Sequence, residues 1–179
     1  MIRKFVHIAF ATFTGLLLFA STSSAQSFDV AGGYAWLHET DLTVPNGWFG
    51  AAGVNLNDSF AIFGQLSQHT KTINIAGVDV DTTLRIFGGG PRLTGNQRAG
   101  VTYFAQVLLG GATAKASVSN VSSASVSNTN FAIQPAGGVD IKVGGTIGAR
   151  FQIGETFIRA EGETQKEFTF FIGIVVRGG

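Results

Sequence analysis

From Phe131 to Val143 the chain alternates between two kinds of residue. Odd positions carry Phe, Ile, Pro, Gly, Val, Ile and Val, while even positions carry Ala, Gln, Ala, Gly, Asp and Lys. Side chains alternate across a β-strand, so this segment has one face suited to hydrocarbon and one suited to a polar or tightly packed interior. The same period recurs and predicts eight strands. They are Phe28–His38, Trp48–Leu56, Phe60–Gln68, Val80–Leu93, Gly100–Ala112, Phe131–Val143, Ile147–Glu161 and Phe168–Arg177. A tilted strand needs about 9–11 residues to cross a membrane's hydrocarbon, and these segments are of that length.

The phase of each strand assigns its faces. Phe28, Val30, Gly32, Tyr34 and Trp36 face outward from the first strand, with Asp29 opposite. Phe60, Ile62, Gly64 and Leu66 do so from the third, with Gln65 and Ser67 opposite, and Val101 to Leu109 supply the odd outward set of the fifth. In the last strand Phe168, Phe170, Ile172, Ile174 and Val176 face out, with Thr169, Gly173 and Arg177 opposite. In the fourth strand Leu84, Ile86 and Gly88 are assigned outward and Arg85 inward. The seventh strand breaks the pattern: Ile147, Ala149, Phe151 and Ile153 are followed in phase by Glu155 and Arg159, which predicts a bulge or the membrane boundary near Gly154. No outward set before that point carries a charge, as expected when one Arg or Lys at mid-bilayer costs about 2–4 kcal/mol.

Connections alternate in length. Asn57-Asp58, Thr94–Arg98 and Gly144–Thr146 are short, whereas Glu39–Gly47, His69–Asp79, Thr113–Asn130 and Gly162–Glu167 are longer and more polar. This asymmetry predicts an all-β, eight-stranded antiparallel up-and-down transmembrane β-barrel with four outer loops, three inner turns and both termini on the periplasmic side. Trp36, Trp48 and Tyr34 fall near outer strand ends, where an aromatic girdle belongs. In the third loop Ala116–Asn120 repeats as Ala124–Asn128, which reads as strand extension above the membrane or as an exposed contact surface.

The first 25 residues read as a secretory signal: Arg3 and Lys4, an apolar run from Val6 to Ala20, and Ser23-Ser24-Ala25 before the cleavage point. Residues 26–179 then form the barrel domain. Cleavage removes two of the 12 basic residues, leaving 10 against 11 acidic, so no basic patch points to nucleic acid. The chain has no cysteine, so disulfides cannot supply the stability of an exported domain.

The signal, the Gly-Gly-Val-Asp-Ile stretch at Gly137–Ile141 and the closing strand Phe168–Gly178 together resemble the outer-membrane β-barrel domain family, the small eight-stranded group of opacity-type and porin-like surface proteins. The resemblance implies outer-membrane lipid as surroundings, the barrel-assembly machinery as a partner during biogenesis, a monomer, and no catalytic residues. Family members end in a strand that the insertion machinery recognises. Here Gly173 and Val176 fit that pattern, while Phe171 stands at its polar position and Gly178 at its terminal aromatic one.

Candidate chemistry sits on the inward phase. Asp29, Arg85, Gln106, Gln134, Asp140, Lys142, Arg150 and Gln152 are expected to form a polar network in the lumen, packed by Phe63, Phe87 and Phe104. An eight-stranded barrel is barely wide enough for its own side chains, so the network is expected to plug the lumen. A small passive pore is the alternative, and a soluble lipocalin-like binder of a hydrophobe would invert every face. His38 and His69, near Glu39 and Ser67, have no catalytic spacing, and no enzyme is expected. Gly88-Gly89-Gly90-Pro91 lacks the Lys-Ser/Thr of a phosphate loop, no Cys/His cluster suits a metal, and no cofactor is expected. The function so read is structural or surface-interacting through outer loops, with an unknown ligand.

Overall fold

A computed structural model describes residues 27–39, 42–44, 46–75, 78–95, 100–118, 125–160 and 162–179. The signal segment 1–25, most of the turn at 96–99 and the loop tip at 119–124 lie outside the described residues. The strands are β1 (Phe28–Glu39), β2 (Leu42–Val44), β3 (Gly47–Asn55), β4 (Phe60–Ile75), β5 (Val78–Gly95), β6 (Val101–Val118), β7 (Ser125–Gly144), β8 (Ile147–Ala160) and β9 (Glu163–Gly178). The short β2 folds back only on the end of β1. The other eight pair antiparallel in chain order, and β9 closes on β1 from Phe28↔Gly178 to His38↔Phe168. The result is a closed eight-stranded barrel, so no hydrogen-bonding edge faces outward along its wall.

The strands are tilted. A hydrogen-bonded rung followed from Ser27 passes through Asn55, Ala61, Arg92, Gln106, Ala136, Gly154 and Thr169 and meets β1 again at Leu37. Neighbouring strands are thus staggered up the wall, the geometry that closure requires. The end bearing Ser27 and Gly178 carries the short connections and is called the turn end here; the other is the loop end.

Alternation places the faces as the sequence predicts on β1, β4, β6, β7 and β9. Phe28, Ile62, Tyr103, Leu109, Phe131 and Ile174 are exposed on the outer surface. Tyr34, Trp36 and Trp48 are exposed toward the loop end. The apolar outer belt spans about ten residues of tilted strand, or roughly 25 Å, which matches a bilayer's hydrocarbon.

Strand β5 is a correction. Ile86 is buried inside and packs with Leu84, while Phe87 is 44% exposed on the outer wall. Arg85 is therefore outward and exposed, and Gly88 faces in. In β8 no bulge occurs at Gly154, and the buried positions continue without a break from Gly148 to Ile158. Glu155 stays outward, on a rung that runs through Phe168 to His38 near the loop end of β1. The phase break therefore marks a boundary of the apolar belt. The register irregularity near this hairpin lies instead between Lys142 and Gly144, beside the tight turn at Gly145, whose φ of 54° suits glycine.

Much of what the sequence suggests as loop is strand: β2 lies within Glu39–Gly47, and β9 takes in Glu163–Glu167, with β8 and β9 paired up to Ala160↔Glu163. β4 and β5 stay paired up to Ile75↔Val78, and β6 and β7 up to Ser117↔Ser125. Within the repeat, Ala116 pairs with Val126 and Ser117 with Ser125, so these described residues of the two copies are strand; 119–124 lie outside the described residues. Two prolines also sit in the wall. Pairing skips Gly90-Pro91 between β5 and β6, and Gln134-Pro135 between β7 and β8, because proline has no N–H for the ladder.

Candidate functional site in the barrel lumen

The interior is stacked in layers. Nearest the turn end lies an ionic layer. The Asp140 carboxylate accepts two hydrogen bonds from Arg150, from Nε and Nη2, each 2.7 Å long. A third comes from Arg177 Nη2 at 2.9 Å. Arg177 also donates to Thr102 Oγ1 at 3.1 Å, and its Nε lies 3.6 Å from Asp29 Oδ2. Asn55 completes the layer by donating to Asp29 Oδ1 at 3.2 Å. Arg150 is fully buried and Asp140 nearly so, while Arg177 opens onto the mouth. Such bidentate, charge-assisted contacts are the arrangement that lets a charged pair persist away from water.

An aromatic layer follows. The Arg92 guanidinium lies 3.3 Å from the Phe63 ring centroid and 4.1 Å from that of Phe104, and Arg150 lies 5.0 Å from Phe104. These rings need space that the residues paired with them on the adjacent strands leave, Gly53 for Phe63 and Gly138 for Phe104. A Cβ on Gly53 or Gly138 would run into the Phe63 or Phe104 ring, respectively. Arg92 Nε donates to Gln106 Oε1 at 2.8 Å.

Four glutamines span the middle. Gln106 and Gln152 both donate to Gln65 Oε1, at 3.4 and 3.1 Å, and Gln65 donates to Gln134 Oε1 at 3.2 Å. Gln134 passes the chain on to Thr156 Oγ1 at 2.9 Å. Gln65, Gln106 and Gln134 each give and accept, while Gln152 only donates and its Oε1 finds no partner among the described residues. The chain crosses the lumen from β4 to β8 as one connected network. Toward the loop end the interior turns apolar: Leu37, Ile86, Ala112, Ala132 and Ile158 pack together, with Leu84 against them. Ser67 and His69 are buried in the same loop-end half of β4, and their side chains find no hydrogen-bond partner among the described residues.

Of the eight expected residues, Asp29, Gln106, Gln134, Asp140, Arg150 and Gln152 meet in this stack. Arg85 does not: it lies outside and donates from Nε to Gln68 Oε1 at 2.8 Å. Lys142 keeps the inward phase but is exposed at the mouth, where it lines a cavity of about 350 Å³ with Asp140 and Arg177. Phe87 fills no part of the lumen. The network gains Arg92, Gln65, Arg177 and Thr156. Gln65 and Arg177 were on the inward phase by alternation, whereas Arg92 shares the parity of Ile86 and was hidden by the inverted phase of that strand. The histidines separate, His38 outward and His69 buried inside, so they share no face. Among the described residues no cluster of His, Cys, Asp and Glu could hold a metal.

The fold has close counterparts among solved structures. Ail, the attachment invasion locus protein of Yersinia pestis, solved in complex with the heparin analogue sucrose octasulfate, is 15% identical with a TM-score of 0.62, covering 87% of this chain and 100% of Ail. Neisserial surface protein A is 13% identical with a TM-score of 0.60, covering 86% of this chain and 97% of that protein. The N-terminal β-barrel domain of Pseudomonas aeruginosa OprF is 10% identical with a TM-score of 0.53, covering 86% and 98%. At these identities the likeness is one of fold: the chain has the architecture of small eight-stranded outer-membrane barrels. No protein-family model matches the sequence. A search of curated proteins likewise finds no match.

Proposed function

We propose that this chain is an integral outer-membrane barrel whose lumen is closed and whose loop-end sheet is an interaction surface. The outer belt supports the membrane reading, since it is apolar around the wall and bordered by Trp36 and Trp48 at its loop end. The layered interior supports closure. An ion would have to displace the Asp140–Arg150 pair, the stacked Arg92 and the apolar layer of Leu37, Ile86 and Ile158 in turn.

The observation that carries the surface role is the length of β4 to β7. Their pairing continues past the last rungs shared with β3, at Gly47↔His69, and with β8, at Phe131↔Arg159. The four strands therefore project beyond the rim as a sheet. Its two margins, Lys71–Ile75 on β4 and Ser125–Thr129 on β7, have no ladder partner on their outer sides among the described residues. Exposed strand margins offer backbone donors and acceptors to a partner. In this reading the projecting sheet faces the cell exterior, outer-membrane lipid surrounds the wall, the barrel-assembly machinery inserts it, and the protein is a monomer without enzymatic activity.

The absence of native cysteine allows a clean test. Thr72→Cys and Asn57→Cys, placed at opposite ends, are exposed to a membrane-impermeant maleimide in intact cells. Labelling of Thr72→Cys alone, with Asn57→Cys reacting only after permeabilisation, is the expected outcome. The reverse pattern would overturn the orientation. A protein missing from the outer-membrane fraction, or lacking a heat-dependent gel shift, would overturn the barrel reading itself.

A further inference from the structure

The outer wall is not uniform. A groove of about 720 Å³ crosses β5 to β8 on the belt. Its floor is low because Ala105 and Gly137 stand where neighbouring rungs carry bulky residues, and Leu93, Val107, Pro135 and Ile153 form its sides. The two prolines contribute compact rings to its lining, and the ladder is interrupted at both. Toward the loop end the groove finishes at Glu155 and Phe168.

Glu155 gives the groove a polarity. Its carboxylate is exposed at the border of the belt and makes no ion pair with any described residue. Lys166, on the adjacent strand, sits 5.7 Å from the Phe157 ring centroid instead. A carboxylate at the edge of hydrocarbon is best matched by a cation that arrives with its own apolar body.

We propose that this groove binds a single-chain segment of an amphiphile bearing an amine headgroup, with the chain lying over Ala105 and Gly137 and the ammonium against Glu155. The proposal rests on the outer-membrane reading above. It departs from ordinary lipid contact in predicting selection by headgroup charge.

The test uses protein extracted from the outer membrane into a neutral maltoside detergent, with its heat-dependent gel shift checked first. Octadecylamine, octadecanol and octadecanoate share one chain and differ in the head, and retention of each is measured by native mass spectrometry. The amine is expected to bind about tenfold more tightly than the alcohol, the scale of one charge-assisted hydrogen bond. Glu155→Gln should remove that preference while leaving the alcohol unchanged. Gly137→Leu should abolish retention of all three, and the wall can accept it, because a Cβ there meets nothing nearer than the Phe104 carbonyl oxygen at 3.6 Å. Arg159→Gln, on the same strand but beyond the groove, should bind as wild type. Equal retention of the three heads, or an amine preference that survives Glu155→Gln, would overturn the proposal while the gel shift still certifies a folded barrel. Absence of the gel shift would instead count against the barrel reading.

Discussion

Asp140 is the position where the ionic layer is most vulnerable, and its removal should cost more than removal of its main partner. The carboxylate accepts three hydrogen bonds, two from Arg150 and one from Arg177, and is 3% exposed. Asp140→Asn preserves shape but cancels the charge, and its amide nitrogen would face a guanidinium donor. Arg150, with no exposed surface and with Nη1 already lacking a partner, would then be an uncompensated buried cation beside Arg92. Losing one member of a buried pair costs about 3–5 kcal/mol, so that is the expected loss for Asp140→Asn. Arg150→Met differs because Asp140 keeps Arg177 at 2.9 Å. The methionine can also pack beside Phe63 and Phe104, and a cost of about 1–2 kcal/mol follows. The double variant should be more stable than Asp140→Asn alone, since the stranded charge is gone. Urea unfolding in lipid vesicles, followed by the fluorescence of Trp36 and Trp48, measures all three. An Asp140→Asn barrel within about 1 kcal/mol of wild type, or one more stable than Arg150→Met, would refute this account of the layer.

Arg85→Met should leave stability within about 0.5 kcal/mol of wild type, because the side chain is outside and exposed; a large drop in Tm would return Arg85 to the lumen. Gly137→Val and Gly138→Val test the alternation on adjacent residues. The first should be nearly silent, whereas the second drives a methyl into the Phe104 ring and should cost about 2 kcal/mol or more by the same urea measurement. In planar bilayers the wild-type barrel should give no reproducible channel openings, and steady single-channel steps would contradict the closed lumen.

Most of the wall was legible because hydrocarbon outside and packed polar groups inside leave a period of two. Phe131 to Val143 shows it most clearly, and Phe168 to Val176 shows it on the outer face, although Phe171 and Val175 are apolar and buried inside. The misplaced residues share one cause. In β5 the aliphatic pair Leu84 and Ile86 suggests a lipid face, but the loop-end interior is itself apolar. Leu84 and Ile86 point inward there, which turned β5 inside out, misplaced Arg85 and hid Arg92. The same layer claims Ile158, so the supposed phase shift in β8 was an interior that changes character with height. Partnerships were beyond reach for a different reason. Alternation assigns a face but not a level, and the stagger between strands decides whether Gln65 meets Gln134, 69 residues away.

The self-pairing repeat has a consequence for how this molecule can vary. Where Ala116-Ser117 lies against Ser125-Val126, sliding one strand by two residues keeps every side chain on its own face and again sets serine against serine. The last described rungs of this hairpin thus lack the distinctive cross-strand partners that lock alignment in the wall below. The two copies begin eight residues apart, so gain or loss of one such unit would change the hairpin by an even number of residues and leave the side chains of the wall below on their own faces. In the proposed orientation, the height of the projecting sheet is in this way separated from the integrity of the wall below.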